Sequence, residues 1–308
     1  MSKDKWGGKV LEKELKKAKT FEEQVDILEE RKLLITDREE TKRILARVNY
    51  YRLSGYFKYF YVDGKEEFKE GTTFDELYKL YKFDESLRRL VMNLTEEVEV
   101  SFRTYVAYYI AHNFGEEGHL DVSKFDPRSE EYHNRFIEKL NEKINSYEDK
   151  EFIRHHKEKY EGKLPIWVIV EIFSFNDLSR LYGNMKNADR KEIIKANYND
   201  PKIVRSAYDV RNWIKVLTDV RNMCAHYERL FNRRFTNSIK LPPMYDGKVF
   251  TNRLFAALII LKLLVNDTEI WNEFMDNLDD LFNKYEFEDL GSMGFTEDWK
   301  DILESKKD

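Results

Sequence analysis

The feature that most constrains the fold is a run of apolar residues that recur every three or four positions between residues 77 and 102. Such spacing places an apolar stripe along a helix, and that stripe needs other helices to cover it. Thr73-Phe-Asp-Glu76 forms a capping box before the run, and Gly115 follows it. Because about 40 residues exceed a typical globular helix, we expect two helices in series with a break near Phe83-Asp84.

Residues that form turns are scarce in the rest of the chain. Its 308 residues include 12 glycines and 5 prolines, which is poor material for strands joined by turns. The composition therefore favours an all-α fold, a helical bundle. Capping patterns and apolar periodicity predict further helices over residues 20–31, 130–147, 165–183, 206–220 and 254–265.

The aromatic segment from Ala46 to Tyr61 is harder to interpret, because it is interrupted at Ser54-Gly55 and fits a helix or a strand. Its rings could stack unpaired bases, but core packing is the favoured interpretation. We expect one domain over residues 1–308. It has an N-terminal helical elaboration over 1–72, a bundle core over 73–285 and an acidic tail over 286–308.

Cys224 is the single cysteine, which excludes an intrachain disulfide and a cysteine-based zinc site. The start MSKDKWGG lacks the apolar core of a secretory signal. The apolar run from Leu254 to Val265 is too short to cross a bilayer and contains Lys262. We therefore expect a cytoplasmic protein without membrane association.

Charge is unevenly distributed around the formal net value of −5. Residues 205–240 contain eight bases and three acids, whereas residues 266–308 contain fourteen acids and four lysines. The overall sign argues against indiscriminate nucleic-acid binding, while the local basic segment is suited to contacts with phosphate.

The segment RNMCAH, from Arg221 to His226, is the richest candidate for chemistry. RNA can be cut without a metal if one group takes the 2′-hydroxyl proton and another protonates the leaving 5′-oxygen. Histidine titrates near neutrality and suits either role, while a guanidinium matches the phosphate oxygens on which charge develops. Arg221 and His226 are therefore the candidate catalytic pair.

The spacing of this pair raises a geometric question, because five residues along an α-helix leave two side chains about 140° apart. Two explanations stay open. The helix ends or bulges between Asn222 and His226, or a second copy of the protein completes the site across a two-fold axis. The second is favoured, and the two are compatible.

The Arg-x4-His pattern, with a polar residue after the arginine, is similar to the signature of HEPN ribonucleases. Further segments, in the expected order, resemble the Abi (abortive infection) family that includes the AbiD and AbiF types. These segments are residues 21–35, 49–56, 77–91, 96–110, 165–182, 221–235 and 293–299. The resemblance covers most of the chain.

The resemblance implies a HEPN-like helical bundle, a homodimer, and cleavage of RNA to 2′,3′-cyclic phosphate ends by a phage-defence toxin. It also implies that a structured noncoding RNA restrains the toxin. Carried over by position, Arg221 and His226 are catalytic, and Asn222 orients them. The implied RNA contacts are Arg229, Asn232, Arg233, Tyr227 and Arg211.

Tyr227 stands where the family often has a second histidine, so the second acid would be the partner's His226 or water. The resemblance implies no cofactor, metal or DNA partner. His155-His156 are interpreted as surface residues because neighbouring positions point to different helix faces. Glu99 and Arg103 are interpreted as an ordinary ion pair four residues apart.

Two functions from different classes follow from these observations. The first is an endoribonuclease toxin that acts through Arg221 and His226. The second is a non-catalytic RNA-binding module in which the same residues only hold phosphate. His226 discriminates between them, because only the first function needs its proton transfer.

Overall fold

The computed structural model describes residues 15–286 and 289–304, and over these residues the chain is all-α, as predicted. The fourteen α-helices of the described chain are α1 (Phe21–Glu30), α2 (Arg38–Val48), α3 (Tyr50–Phe60), α4 (Phe74–Phe114), α5 (Glu130–Ser146), α6 (Glu151–Lys159), α7 (Ile166–Ile169), α8 (Phe175–Asn184), α9 (Asn187–Asn197), α10 (Pro201–Arg205), α11 (Val210–Ala225), α12 (Leu254–Leu264), α13 (Thr268–Tyr285) and α14 (Trp299–Glu304). Short 3-10 helices lie at Val122–Lys124, Pro127–Ser129, Val170–Ile172, Pro243–Tyr245 and Leu290–Met293. Isolated bridges pair Leu34 with Thr73 and Tyr61 with Phe68.

The chain divides into two compact units, residues 1–82 and residues 83–308, and the boundary falls inside α4. The predicted single domain, with an elaboration over 1–72 and a tail over 286–308, stays a prediction. Parts of that elaboration and tail, residues 1–14, 287–288 and 305–308, lie outside the described residues. Within residues 15–286 and 289–304, no helix combines the length and apolar character of a membrane span.

In the first unit, the aromatic segment is helical and its break lies at Asn49 rather than at Ser54-Gly55. Asn49 has a positive φ of 65° and its side chain accepts a hydrogen bond from the Tyr51 N–H, so it ends α2 and caps α3. Ser54-Gly55 continue α3 as helical residues. Phe57 is buried in the core of this unit while Tyr51 is exposed, which supports core packing for part of the aromatic set.

The predicted break in α4 near Phe83-Asp84 is wrong, because the helix runs without interruption over 41 residues. Phe83 and Asp84 are fully buried. The Asp84 carboxylate accepts hydrogen bonds from the backbone N–H groups of Leu230 (3.2 Å) and Phe231 (2.7 Å). Because the Asp84 carboxylate accepts from N–H groups of a distant segment, it does not compete for the backbone N–H groups of α4.

The predicted continuous helix over 165–183 is also wrong, because the chain turns at Phe173 and restarts as α8. Ser174 and Asp177 form a capping box at the start of α8, in which the Asp177 N–H donates to the Ser174 hydroxyl (3.2 Å). The turn leaves the carbonyl of Phe173 outside the helical hydrogen-bond pattern. That carbonyl accepts a hydrogen bond from Nη2 of Arg103 (3.2 Å).

The core of the second unit contains α12, all of whose residues are buried, as predicted for this segment. Lys262 is buried with the apolar residues of the helix, and its Nζ donates to the carbonyl of Ile302 (2.8 Å). The segment after α13 packs on the same unit through Phe295, Trp299 and Leu303, which are buried. Part of the acidic C-terminal region is therefore folded against this core.

Two histidines are buried together, His119 and His133 of α5. Nε2 of His133 lies 2.9 Å from the carbonyl oxygen of His119, and the His133 ring stacks on Phe125. His119 is 1% exposed, and in the described chain neither Nδ1 has a hydrogen-bond partner. Burial, with a smaller contribution from His133, lowers the pKa of His119 to about 4.

We expect His119 to make the fold less stable in mild acid. Its pKa is depressed below the unfolded value of 6.5, so its contribution is complete above pH 6.5 and is lost as the pH falls towards 4. The full loss is about 3 to 4 kcal/mol of unfolding free energy, at about 1.4 kcal/mol per pKa unit. Urea unfolding between pH 7.5 and 4.5 measures this loss. His119→Gln, which does not titrate, should show a shallower decline, and an identical decline would contradict the prediction.

Candidate active site

The C-terminal end of α11 positions the Arg221 to His226 segment. The helix stops after Ala225, and His226 is its C-cap. Tyr227 adopts a left-handed conformation with φ 58°, its N–H donates to the Cys224 carbonyl (3.2 Å), and the Glu228 N–H donates to the Met223 carbonyl (2.9 Å). These two bonds form a Schellman motif. The helix does end at His226, but its backbone stays helical from Arg221 to Ala225, so this end does not remove the separation of about 140° between the two side chains.

Arg221 is held by a carboxylate from another helix. Its Nε lies 3.3 Å from Oε2 of Glu99 on α4, which is ion-pair distance, although the N–H direction does not meet hydrogen-bond geometry. Nη2 of Arg103 donates to the other oxygen of Glu99 (2.8 Å). Arg103 also donates to Phe173, so the turn before α8 and the α4 pair fix the position of Arg221.

The three charged side chains of this cluster, Glu99, Arg103 and Arg221, differ in burial. The side chain of Glu99 is 9% exposed and that of Arg221 is 31% exposed. A carboxylate as deeply buried as Glu99 needs cationic partners, and Arg103 and Arg221 are its two partners. In the described part of the chain, no acceptor contacts Nη2 of Arg221. One edge of the Arg221 guanidinium is thus occupied by the fold, and Nη2 remains available to a phosphate.

Asn222 links the two candidate catalytic residues. Its backbone carbonyl accepts a hydrogen bond from the His226 N–H (2.9 Å), and its Oδ1 lies 3.5 Å from Nη1 of Arg221. The His226 side chain is exposed, and across residues 15–286 and 289–304 no group hydrogen-bonds to its ring. Cys224, in the same segment, is buried, and burial raises its thiol pKa to about 12. That shift makes the thiol a poor nucleophile.

The loop after the motif is anchored by Asp84. Besides accepting from Leu230 and Phe231, this carboxylate pairs with Arg88 one turn along α4, and both side chains are nearly or fully buried. Leu230 and Phe231 are themselves completely buried. The anchored loop fixes the segment that begins at Tyr227.

The proposed RNA contacts in this loop differ in their surroundings. Tyr227 is exposed, and Arg233 is half-exposed with Glu228 at 3.5 Å. Arg229 is half-buried. The side-chain oxygen of Asn232 accepts a hydrogen bond from Nη1 of Arg253 (2.7 Å), so this residue has a structural partner as well.

Arg211 lies apart from the pair, in the N-terminal half of α11, where it lines a cleft with residues of α5 and α8. His155 is exposed on α6, as expected for a surface position, whereas His156 is half-buried and its Nδ1 lies 2.8 Å from the carbonyl oxygen of Phe152. Within the described ranges, no group of three or more histidine, cysteine and acidic side chains is arranged to hold a metal ion.

Sequence reasoning missed two parts of this site. The ion pair between Glu99 and Arg103 is confirmed, but the contact of Glu99 with Arg221 was not foreseen. The buried pair of Asp84 and Arg88 was also missed. The available signal was the acid-x3-arginine spacing on α4, which occurs at positions 84 and 99 on an otherwise apolar stripe.

The comparison with protein families decides the chain's classification. The family model for Abi-like proteins matches residues 43–232, which is more than half of the chain. The chain belongs to the Abi-like protein family. Membership associates this Abi-like protein with abortive infection, a form of phage defence. No curated protein and no solved structure gave a significant match.

Proposed function

We propose that this Abi-like protein is a metal-independent endoribonuclease of the HEPN type, a cytoplasmic toxin related to the AbiD and AbiF types that acts in phage defence. The observation that carries the proposal is the cluster at the end of α11. Buried Glu99 holds Arg221 at the surface, on the same helix end as exposed His226. A fixed guanidinium and an exposed imidazole, brought together from two protomers, are suited to phosphodiester chemistry.

The proposed reaction needs only groups from the protein and its substrate. The 2′-oxygen attacks the adjacent phosphorus while a base takes its proton. The bond from phosphorus to the 5′-oxygen breaks, and an acid protonates that oxygen. The products are a 2′,3′-cyclic phosphate and a 5′-hydroxyl. Arg221 stabilises the charge on the phosphate oxygens, and His226 transfers a proton.

A homodimer would supply the second proton-transfer group. With tyrosine at position 227, one protomer offers one histidine in this segment, so the partner's His226 takes the complementary role. An apolar surface beside Arg103 supports the proposal. Trp167 and Tyr108 line a pocket with Arg103, and each is at least half exposed. In this proposal a structured noncoding RNA restrains the toxin.

The experiment is incubation of the purified protein with total RNA in EDTA, followed by sequencing of new ends and analysis of their chemistry. We expect cyclic-phosphate ends from the wild type and none from His226→Ala, because the variant cannot transfer the proton. RNA affinity should change little in this variant. Cleavage of equal extent by His226→Ala would contradict the proposed role.

A non-catalytic RNA-binding module is the second candidate. It is favoured by the His226 ring, which no described side chain orients. This function predicts intact RNA in the same experiment and reduced RNA affinity in His226→Ala. The two candidates therefore give opposite results for cleavage and for binding.

A further inference from the structure

The second unit contains a basic cleft separate from the end of α11. Its volume is about 570 Å³, and it lies where α8 packs against both α5 and α11. Five cationic side chains line it, and no carboxylate is among its lining residues. The five are Arg135 and Lys139 of α5, Arg180 of α8, and Arg211 and Lys215 of α11.

Most of this charge is not neutralised within the fold. Arg135 pairs with Glu131 on its own helix. In the described chain, no carboxylate lies within ion-pair distance of Lys139, Arg180, Arg211 or Lys215. Clustered like charges repel one another unless an anion is shared among them, so this arrangement is suited to a polyanion.

The wall of the cleft brings the cations close together. Arg211 lies across Gly183, where an added Cβ would meet its Nε at 3.2 Å, a distance tighter than ordinary contact. Arg190 is buried behind this wall and donates from Nη1 to the Gly183 carbonyl (3.0 Å). Burial, and secondarily the charge of Arg211, hold the pKa of the Arg190 guanidinium below its ordinary value. Glycine at position 183 therefore leaves room for the Arg211 guanidinium near Arg190, and a larger side chain at that position would displace Arg211.

An unpartnered polar group also lines the cleft. Asn184 is 6% exposed, and its Nδ2 has no hydrogen-bond partner in the described chain. A buried donor without an acceptor is unfavourable, and an oxygen-bearing ligand in the cleft would supply the acceptor. This observation is independent of the charge cluster and indicates the same kind of ligand.

An aromatic ring narrows the class of polyanion. Tyr132 is 64% exposed and lines the cleft on the same stripe of α5 as Arg135 and Lys139. Proteins that bind single-stranded nucleic acids combine a basic groove with aromatic rings on which unpaired bases stack. In a duplex the bases are already stacked on each other, so an exposed ring beside the cations favours a single strand.

The direction of α11 connects the cleft with the candidate active site. At about 100° per residue, Arg211, Lys215, Asn222 and His226 lie within about 60° of one another around the helix. Arg211 and His226 are separated by about 22 Å along the axis at about 1.5 Å per residue. A strand lying along this face would therefore reach from the cleft to His226.

We propose that the cleft lined by α5, α8 and α11 binds single-stranded RNA that flanks the phosphate held at the end of α11. The inference rests on the proposed function for the direction of the strand, but binding in the cleft can be tested without cleavage. Lys139, Arg180, Arg211 and Lys215 contact phosphates, Tyr132 stacks a base, and Asn184 donates to the strand at the floor of the cleft.

The experiment measures binding of a short fluorescein-labelled oligouridine by anisotropy in EDTA, with every variant built on His226→Ala so that nothing is cut. We expect Arg180→Gln/Lys215→Gln to weaken binding at least tenfold. The slope of log Kd against log salt should fall by about 1.4, at about 0.7 per phosphate contact in single strands. Lys159→Gln/Lys284→Gln, which removes two exposed charges outside the cleft, is the matched control and should bind normally.

The stacking contact has its own pair of variants. Tyr132→Ala should weaken binding of the oligouridine about tenfold, whereas Tyr132→Phe should retain it. Because Tyr132 is exposed, neither change should alter the thermal unfolding temperature. The same protein should bind a duplex RNA of equal length less tightly than the single strand.

The outcomes separate this inference from the proposed function. If wild-type protein leaves RNA intact while the cleft variants lose binding, the proposed nuclease fails and the inference stands. If cleft and control variants weaken binding equally, the inference is overturned. Displacement of the oligouridine by polyglutamate as effectively as by unlabelled oligouridine would indicate an acidic protein partner and would also overturn it.

Discussion

Cleavage of RNA by the Arg221→Ala variant is expected to fall by about 100- to 1,000-fold, the usual loss when one group that stabilises transition-state charge is removed. Glu99 keeps Arg103 as a partner, so the variant should stay folded. Arg221→Lys should recover part of the rate because it keeps the charge but loses the planar fork. The measurement is the initial rate at which cyclic-phosphate ends form under single-turnover conditions.

Mixing wild type with an excess of His226→Ala tests the proposed dimer within the same assay. The proposal needs His226 from both protomers, so a heterodimer that contains one His226 should be inactive. With RNA in excess of total protein, the variant should then suppress the wild-type rate. If each protomer acts alone, adding the variant should leave the wild-type rate unchanged. A wild-type rate for Arg221→Ala alone would remove the arginine from the mechanism.

Replacement of Asp84 with alanine should produce the largest loss of stability, about 3–5 kcal/mol of unfolding free energy. The change removes the carboxylate that balances buried Arg88 and the acceptor for the N–H groups of Leu230 and Phe231. A buried charge and two backbone donors lose this partner at once, which is far costlier than the loss of a surface contact. Urea unfolding at neutral pH measures the effect.

Glu85 provides the matched control, because it is next in sequence and also pairs with an arginine four residues later. Its partner Arg89 is 72% exposed, so Glu85→Ala should cost less than about 1 kcal/mol. A loss of this small size for Asp84→Ala would show that the buried pair does not hold the loop. Asp84→Asn should fall between the two, since it keeps an acceptor but not the charge.

Local chemistry was sufficient to predict many helix ends. The capping boxes at Thr20 and Thr73 are formed as expected. In the second box, the Glu76 carboxylate accepts a hydrogen bond from the Thr73 N–H (2.8 Å). Each box is completed within four residues, so its energy depends little on the rest of the fold. The all-α class followed from such signals and from the scarcity of glycine and proline.

The wrong helix boundaries have tertiary causes. The length of the apolar pattern suggested a break near Asp84, but the Asp84 carboxylate is buried in an uninterrupted helix and accepts hydrogen bonds from a segment almost 150 residues away in sequence. The residues around Phe173 were predicted to be helical because they are apolar. The chain turns there instead, and the Phe173 carbonyl accepts a hydrogen bond from Arg103. Periodicity cannot reveal such contacts, since they depend on which helices become neighbours.

The sequence by itself determined the helical class, several caps and the candidate pair Arg221 and His226, because these depend on residue type and short spacing. Only the tertiary structure brought Glu99 to Arg221, Asp84 to the loop after the motif, and three helices together around the basic cleft. The physical reason is that ion pairs and clefts form between segments distant in sequence. Packing of the apolar helix faces selects those neighbours.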